Sequence, residues 1–302
     1  RSASGSANLS VHIGSNAGYS NSGSTSIMIG AQAARNNSVD GHTSIGYQAG
    51  YSQTSAPNNT NIGYKAGYSN TTEDSRTIVG YECGEFNTAS DNTFMGRRAG
   101  RGTSGLTNSG SKNTAIGQSA GLGITTGAEN SFLGFQAGQN NTTASNNTFI
   151  GSRAAGSATV TGGNNTGVGY SALAFLSSGT SNTVLGYQAG DALTTSSDNT
   201  FIGNGSGTSA NASGTNGKNT GVGRSALSDL SSGLNNTAMG YNSAPSLSSG
   251  SNNVMVGYQA DVSTGAASNQ NSFGYSASCS GDNQVTLGNS SIGTLRCQAT
   301  SI

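Results

Sequence analysis

Two histidines, His12 and His42, are the only imidazoles in the 302 residues, and both fall near the start. A Ser-His-acid triad would need one of them beside an activated serine. Nothing in the surrounding sequence marks such a nucleophile, and both read as ordinary strand residues. No His-x-His or Cys-x-x-Cys pair of the kind that holds zinc occurs. Glu73-Asp74 supplies two carboxylates, the groups a glycosidase uses when they flank the scissile bond. They sit in a variable polar loop and read as a solvated turn. Gly167-Val168-Gly169 lacks the strand, glycine loop and helix context of a nucleotide site. The eight aspartates do not recur in register, as a calcium-binding solenoid requires. Arg97, Arg98 and Arg101 are the one tight basic cluster and read as a solvated loop face. The sequence therefore predicts no catalytic, cofactor-binding or metal-binding residues, and no enzyme.

Composition narrows the class further. Charged residues make up 8%, with 12 Lys+Arg against 12 Asp+Glu, and hydrophobic residues 32%. A nucleic-acid partner calls for a basic face that twelve scattered cations do not make. Charge-driven disorder needs a high net charge that is missing here. No apolar run approaches the ~18 residues of a membrane helix, and no secretory signal opens the chain. Arg1 is not a methionine, so the chain reads as a processed or partial portion of a longer protein. Three cysteines cannot make a full disulfide framework. Cys83 occupies a slot that most repeats give to alanine and reads as a small buried residue. Cys297, near the end, could pair between subunits.

A repeat runs from end to end. Its pattern is Asn-Thr-x-(Ile/Val/Leu)-Gly, often followed by Tyr-x-Ala-Gly and then a polar loop. The anchor glycines are 14, 30, 46, 63, 80, 96, 117, 134, 151, 169, 186, 203, 223, 240, 257, 274 and 288, seventeen in all. The residue before each anchor is large and apolar in all seventeen, from Ile13 to Leu287. Four before it, Asn appears eleven times; three before it, Thr or Ser twelve times; three after it, Ala thirteen times. The period is too short for paired helices, and Gly, Asn, Ser and Thr form helices poorly. Thr-x-Ile suits a short strand, and the anchor glycine permits a positive-φ turn. The expected fold is all-β: a parallel β-solenoid, or β-roll, of about seventeen 16–17-residue coils. Asn and Thr would stack into ladders. At ~4.8 Å per coil the rod would be roughly 80 Å long.

Energetics favour an oligomer. One large aliphatic side chain per coil is worth roughly 1.5–3 kcal/mol, while ordering a coil costs about 25 kcal/mol. Ladder bonds between neighbours repay only part. The slot two before the anchor is also often apolar, as at Met28, Ile78, Phe94, Phe132, Phe149, Val184, Phe201 and Met255. By period two it faces the other way from the slot next to the anchor. The expectation is that the slot next to the anchor fills the coil and the slot two before it packs against partner chains. The alternative is a wider monomeric coil with a fatter core.

A longer period overlies the short one over roughly residues 80–257. Phe94-Met95-Gly96, Phe149-Ile150-Gly151 and Phe201-Ile202-Gly203 recur every three coils, each opening an expanded repeat of 21, 18 or 20 residues. The long loops form a candidate contact surface, since function tends to sit on loops carried by a rigid scaffold. Neutral duplication of a shaft unit is the other reading.

The string Asn-Thr-Ala-Ile-Gly-Gln-Ser-Ala at 113–120 resembles the repeats of trimeric autotransporter adhesin heads. The stretch Asn182 to Gly190 is similar to repeats of bacteriophage tail fibres. The terminal run Asp282 to Cys297 resembles the segment that precedes a self-cleaving intramolecular chaperone in such fibres. The resemblance implies a homotrimeric tail-fibre shaft, with residues 1–281 as the repeat region and 282–302 as terminal coil and start of a trimer-closing segment. It also implies an extracellular, virion-borne protein. Its partners would be other tail proteins and a host glycan or envelope receptor, with no membrane insertion. An adhesin head is the runner-up. An ice-binding protein and a polysaccharide depolymerase are further alternatives.

Overall fold

In a computed structural model the chain is all β, a parallel β-solenoid with no helix among the described residues, which are 9–106, 108–210 and 217–294. It divides into two compact units, Arg1–Asn182 and Thr183–Ile302. The first holds β1 (Val11–Ile13), β2 (Ile27–Ile29), β3 (Thr43–Ile45), β4 (Thr60–Ile62), β5 (Thr77–Val79), β6 (Thr93–Met95), β7 (Thr114–Ile116), β8 (Ser131–Leu133), β9 (Thr148–Ile150) and β10 (Thr166–Val168). The second holds β11 (Thr183–Leu185), β12 (Thr200–Ile202), β13 (Thr220–Val222), β14 (Thr237–Met239), β15 (Val254–Val256), β16 (Gln270–Phe273) and β17 (Gln284–Leu287). Every strand ends on the residue before an anchor glycine. Within each unit successive strands pair in parallel, with equivalent repeat positions opposite one another, as in Thr148↔Thr166, Phe149↔Gly167 and Ile150↔Val168, or Thr220↔Thr237, Gly221↔Ala238 and Val222↔Met239.

The anchor must be glycine for two reasons. At Gly134 the backbone takes φ +136°, and a Cβ there would lie 2.6 Å from the carbonyl oxygen of Gly151 in the next coil. That closeness lets hydrogen bonding continue round the corner. The Gly63 N–H donates to Ile45 O at 2.7 Å, Gly50 to Ala66 O at 2.9 Å, and Thr125 to Thr142 O at 2.9 Å. Each coil is thus tied to its neighbour on several sides.

The asparagine four before the anchor points inward and is buried throughout. Its backbone N–H donates to the side-chain Oδ1 of the asparagine one coil earlier: Asn113 to Asn92 at 2.8 Å, Asn130 to Asn113 at 3.0 Å, Asn147 to Asn130 at 2.9 Å, Asn165 to Asn147 at 2.8 Å, Asn182 to Asn165 at 3.0 Å. The second unit repeats this from Asn219 to Gln270. The side-chain amide then reaches a loop carbonyl across the coil, as Asn130 Nδ2 does to Ala144 O at 2.9 Å.

The two strand faces are the reverse of the sequence expectation. The slot two before the anchor lies inside: Met28, Ile78, Phe94, Phe149, Val184, Phe201 and Met255 have no exposed surface. The slot next to the anchor faces out, with Leu133 48% and Leu185 47% exposed. The reason is parity. Side chains alternate along a strand, so the slot two before the anchor shares a face with the buried Asn ladder four before it. The slot next to the anchor shares the outer face with Thr.

The interior is filled by exchange of volume within each coil. Where the inward slot carries Phe, the fourth residue after the anchor is often glycine. A Cβ on Gly138 would sit 2.7 Å from the Phe132 ring, and one on Gly207 would sit 2.6 Å from the Phe201 ring. Where the inward slot is Gly167 or Gly221, that fourth residue is Leu173 or Leu227, both buried and both at positive φ. The Phe132 and Phe149 rings stack at 5.5 Å between adjacent coils. This rule generates a test. Phe201→Gly should cost about 4 kcal/mol by opening a cavity. Gly207→Leu alone should cost about 2 kcal/mol by overpacking. The double variant, which copies the Gly221/Leu227 coil, should recover at least half of the summed loss in urea unfolding.

Candidate interaction surface

Inward slots are buried and cut off from solvent, so the outer slots decide what the solenoid presents. In the first unit the residues next to the anchors form one outward column, Ile29, Ile45, Ile62, Val79, Met95, Ile116, Leu133, Ile150 and Val168, all half-buried or exposed. In the second, Leu185, Ile202, Val222, Met239, Val256, Phe273 and Leu287 do the same. Parallel pairing in register puts each residue ~4.8 Å from the next. Scattered exposed apolar residues are ordinary on any protein. A column with one at every coil is a contiguous patch of the kind that marks an interface.

The residue after the anchor is often Tyr, and these rings stack from coil to coil. In the first unit Tyr47–Tyr64 and Tyr64–Tyr81 have centroids 5.4 and 5.0 Å apart, with Tyr51–Tyr68 at 5.1 Å on another edge. In the second, Tyr241–Tyr258 and Tyr258–Tyr275 lie 5.2 and 5.4 Å apart. Cations cover parts of these ladders: Lys65 lies over Tyr64 and Tyr68, Arg35 over Tyr19 and Tyr51, Arg224 over Tyr241. The second residue after the anchor adopts left-handed backbone although it is seldom glycine, as at Gln32, Gln48, Glu82 and Arg98. Each such residue costs roughly 1–2 kcal/mol. An external polar ladder offsets part of this, with Gln48 Nε2 donating to Gln32 Oε1 at 2.8 Å and Arg98 Nε to Glu82 Oε2 at 2.7 Å. The sequence reading missed this ladder, whose signal is a recurring polar residue two after the anchor.

The residues singled out for chemistry are dispersed. His12 lies in exposed β1, with Nε2 3.1 Å from Asn21 Nδ2 and its ring against Gly18. His42 takes the Asn-ladder slot before β3, buried, with Nδ1 2.8 Å from Gln53 Nε2. The Glu73 carboxylate accepts N–H bonds from Thr71 and Thr72, capping its own turn. Gly167-Val168-Gly169 is strand followed by turn. Of the basic cluster, Arg98 pairs with Glu82, and Arg101 pairs with Glu85 at 2.8 Å while lying over Phe86. Those two are therefore ion-paired across coils. Cys83 is fully buried, as expected from its alanine slot, and burial pushes its thiol up to about 12. Cys297 lies outside the described residues. Among the described residues no cluster of three or more His, Cys, Asp or Glu could hold a metal, and no helix is long and apolar enough to cross a membrane.

Two of the expanded repeats open shallow depressions of about 320–330 Å³. One is lined by Phe86, Arg101, Thr103, Leu122 and Asn140. The other is lined by Ser197, Asp198, Lys218, Leu234 and Asn235. In the first unit the extra residues rejoin the stack where Thr88 donates to Asn108 O and Thr142 to Val160 O. No protein-family model matches the chain, and no curated protein matches it.

His42 gives a pH test. Burial lowers its pKa from 6.5 to about 4, against the opposing pull of Asp40. The folded state then binds fewer protons than the unfolded state between those values. The stability that neutral His42 contributes is complete above pH 6.5 and is lost as pH falls toward 4, up to about 3 kcal/mol. His42→Asn restores the ladder residue. Urea unfolding at pH 7 and pH 4.5 should show a steeper loss for the parent than for this variant.

Proposed function

We propose that the chain is a structural and adhesive fibre segment of a phage tail, a homotrimeric shaft that carries or contributes host-receptor contacts. The carrying observation is the outward apolar column. The interior is already closed by the Asn ladder and the Phe/Gly and Gly/Leu coils, so this column is surplus to the fold of one chain. A parallel column of aliphatic side chains with a fixed repeat can meet identical columns on other copies with every coil in register. A cyclic assembly satisfies all copies equally. The sequence resemblance to tail-fibre repeats supports the viral setting. The Tyr ladders and loop depressions supply polar and aromatic surface for weak receptor contacts, which three chains would multiply.

The runner-up is the head of a bacterial trimeric adhesin, which shares the assembly and differs in location. Immunogold labelling with antibody against the segment separates the two. Label on virion tails supports the fibre, and label on the bacterial outer surface supports the adhesin.

The assembly has its own test. Leu133→Asp with Ile150→Asp should convert trimer to monomer in solution mass measurements while each chain keeps its β circular dichroism. Phe132→Asp with Phe149→Asp should abolish folding instead. Monomeric mass for the unaltered protein would remove the trimer.

A further inference from the structure

The interior of the first unit changes character along its length. From β6 onward it is filled mainly by Phe94, Ile124, Phe132, Phe149, Leu173 and Leu176. Around β3 to β5 Ile78 is the one large aliphatic residue inside, the other inward slots carry buried Ser44, Gln53, Asn61, Asn70 and Asn87, and the ladder slot holds His42 and Arg76 in place of Asn. Among the described residues, every buried side-chain nitrogen or oxygen without a hydrogen-bond partner falls between Ser26 and Asn87.

Arg76 is the extreme member. It replaces the ladder asparagine before β5, is 1% exposed, and none of its Nε, Nη1 and Nη2 atoms has a hydrogen-bond partner. Its backbone N–H continues the ladder to Asn59 Oδ1 at 3.0 Å. A guanidinium has no acceptor, so it cannot hand the ladder on to Asn92. Burial lowers its pKa only to about 10, leaving it charged at neutral pH.

Glu73 is near enough to favour the Arg76 charge through space, but no carboxylate touches the guanidinium. The Glu73 carboxylate caps Thr71 and Thr72, and that of Glu85 faces Lys65 and Arg101. Cys83 is close enough to favour the charge but stays protonated at neutral pH, its thiol donating to Ala99 O. Nη2 points at Gly84, where a Cβ would lie 3.3 Å from it, and the Gly84 carbonyl accepts the Asn87 N–H. The Asn87 Nδ2, also without a partner, belongs to the same turn.

Donors therefore outnumber acceptors here. Five guanidinium N–H groups and the two of the Asn87 amide stand against five unpartnered atoms able to accept in this stretch, the Asn61 and Asn70 carboxamide oxygens, the Ser26 and Ser44 hydroxyls and His42 Nε2, and none of these bonds to the guanidinium. Neutral oxygens, or water, would satisfy hydrogen bonds and still leave the buried positive charge with no counter-charge in contact, since Glu73 acts only through space. We propose that Arg76 is the centre of an anion site inside the solenoid, taking a small monovalent anion of halide size that bonds to the guanidinium.

The test uses the full chain and bromide as probe. Crystals grown in sodium bromide should show an anomalous peak in hydrogen-bonding contact with the Arg76 guanidinium. At constant ionic strength, replacing gluconate, too bulky for the interior, with chloride should raise the melting temperature, increasing with each tenfold rise above the dissociation constant. Arg76→Asn, which restores the ladder residue and should fold, should lose both the peak and the chloride response. Water alone at the guanidinium, an Asn70 oxygen turned onto it without bromide, or the same chloride response in both proteins would overturn the proposal.

Discussion

The buried carboxamide ladder is the interaction on which the solenoid rests. Each coil is too poor in apolar residues to close over itself, and a buried unpaired amide costs about 1–3 kcal/mol. Each ladder asparagine meets that constraint by spanning three places at once. Asn147 receives the N–H of Asn165, gives its amide to Asn141 Oδ1 and Gly162 O, and sends its own N–H to Asn130. A shift of one residue along the strand would turn this whole set outward, so the ladder fixes register, face and coil shape together.

Much of this was legible in the sequence. Every anchor glycine marks a strand end, and Asn stacks over Asn as expected, because a repeat states the same local geometry many times. The choice of face was harder. The slot next to the anchor is invariantly large and apolar, and constancy looks like a core. The true core slot is variable, alternating Phe149 with Gly167 and Phe201 with Gly221, because its volume is shared with a residue six places further on. The usable signals were the shared parity with buried Asn and the matching Phe-with-Gly and Gly-with-Leu pairs. Arg76 was invisible for another reason: as one of six departures from Asn in seventeen ladder slots, it reads as drift until its burial is seen.

The outside follows from the same geometry. Once parity sends Asn and Phe inward, Thr and the large aliphatic residue must face out, and in-register stacking turns one apolar residue per repeat into a stripe along each unit. The Tyr and Gln/Glu/Arg ladders arise likewise. Surface character is thus set by slot rather than by patch, and one substitution changes one rung of a long surface.

Volume sharing within a coil also bears on how such a chain lengthens. A coil whose inward residues are Phe with Gly, or Gly with Leu, presents the same total bulk to whatever lies above and below. Three-coil blocks from that part of the sequence can be copied into the gene without a misfit at either seam. The polar coils around His42 and Arg76 are each bespoke, and a copy inserted there would break contacts on both sides. The recurrence of the Phe-Ile/Met-Gly block between residues 80 and 257, and its absence from the first coils, places evolutionary growth of the repeat array where the interior is interchangeable.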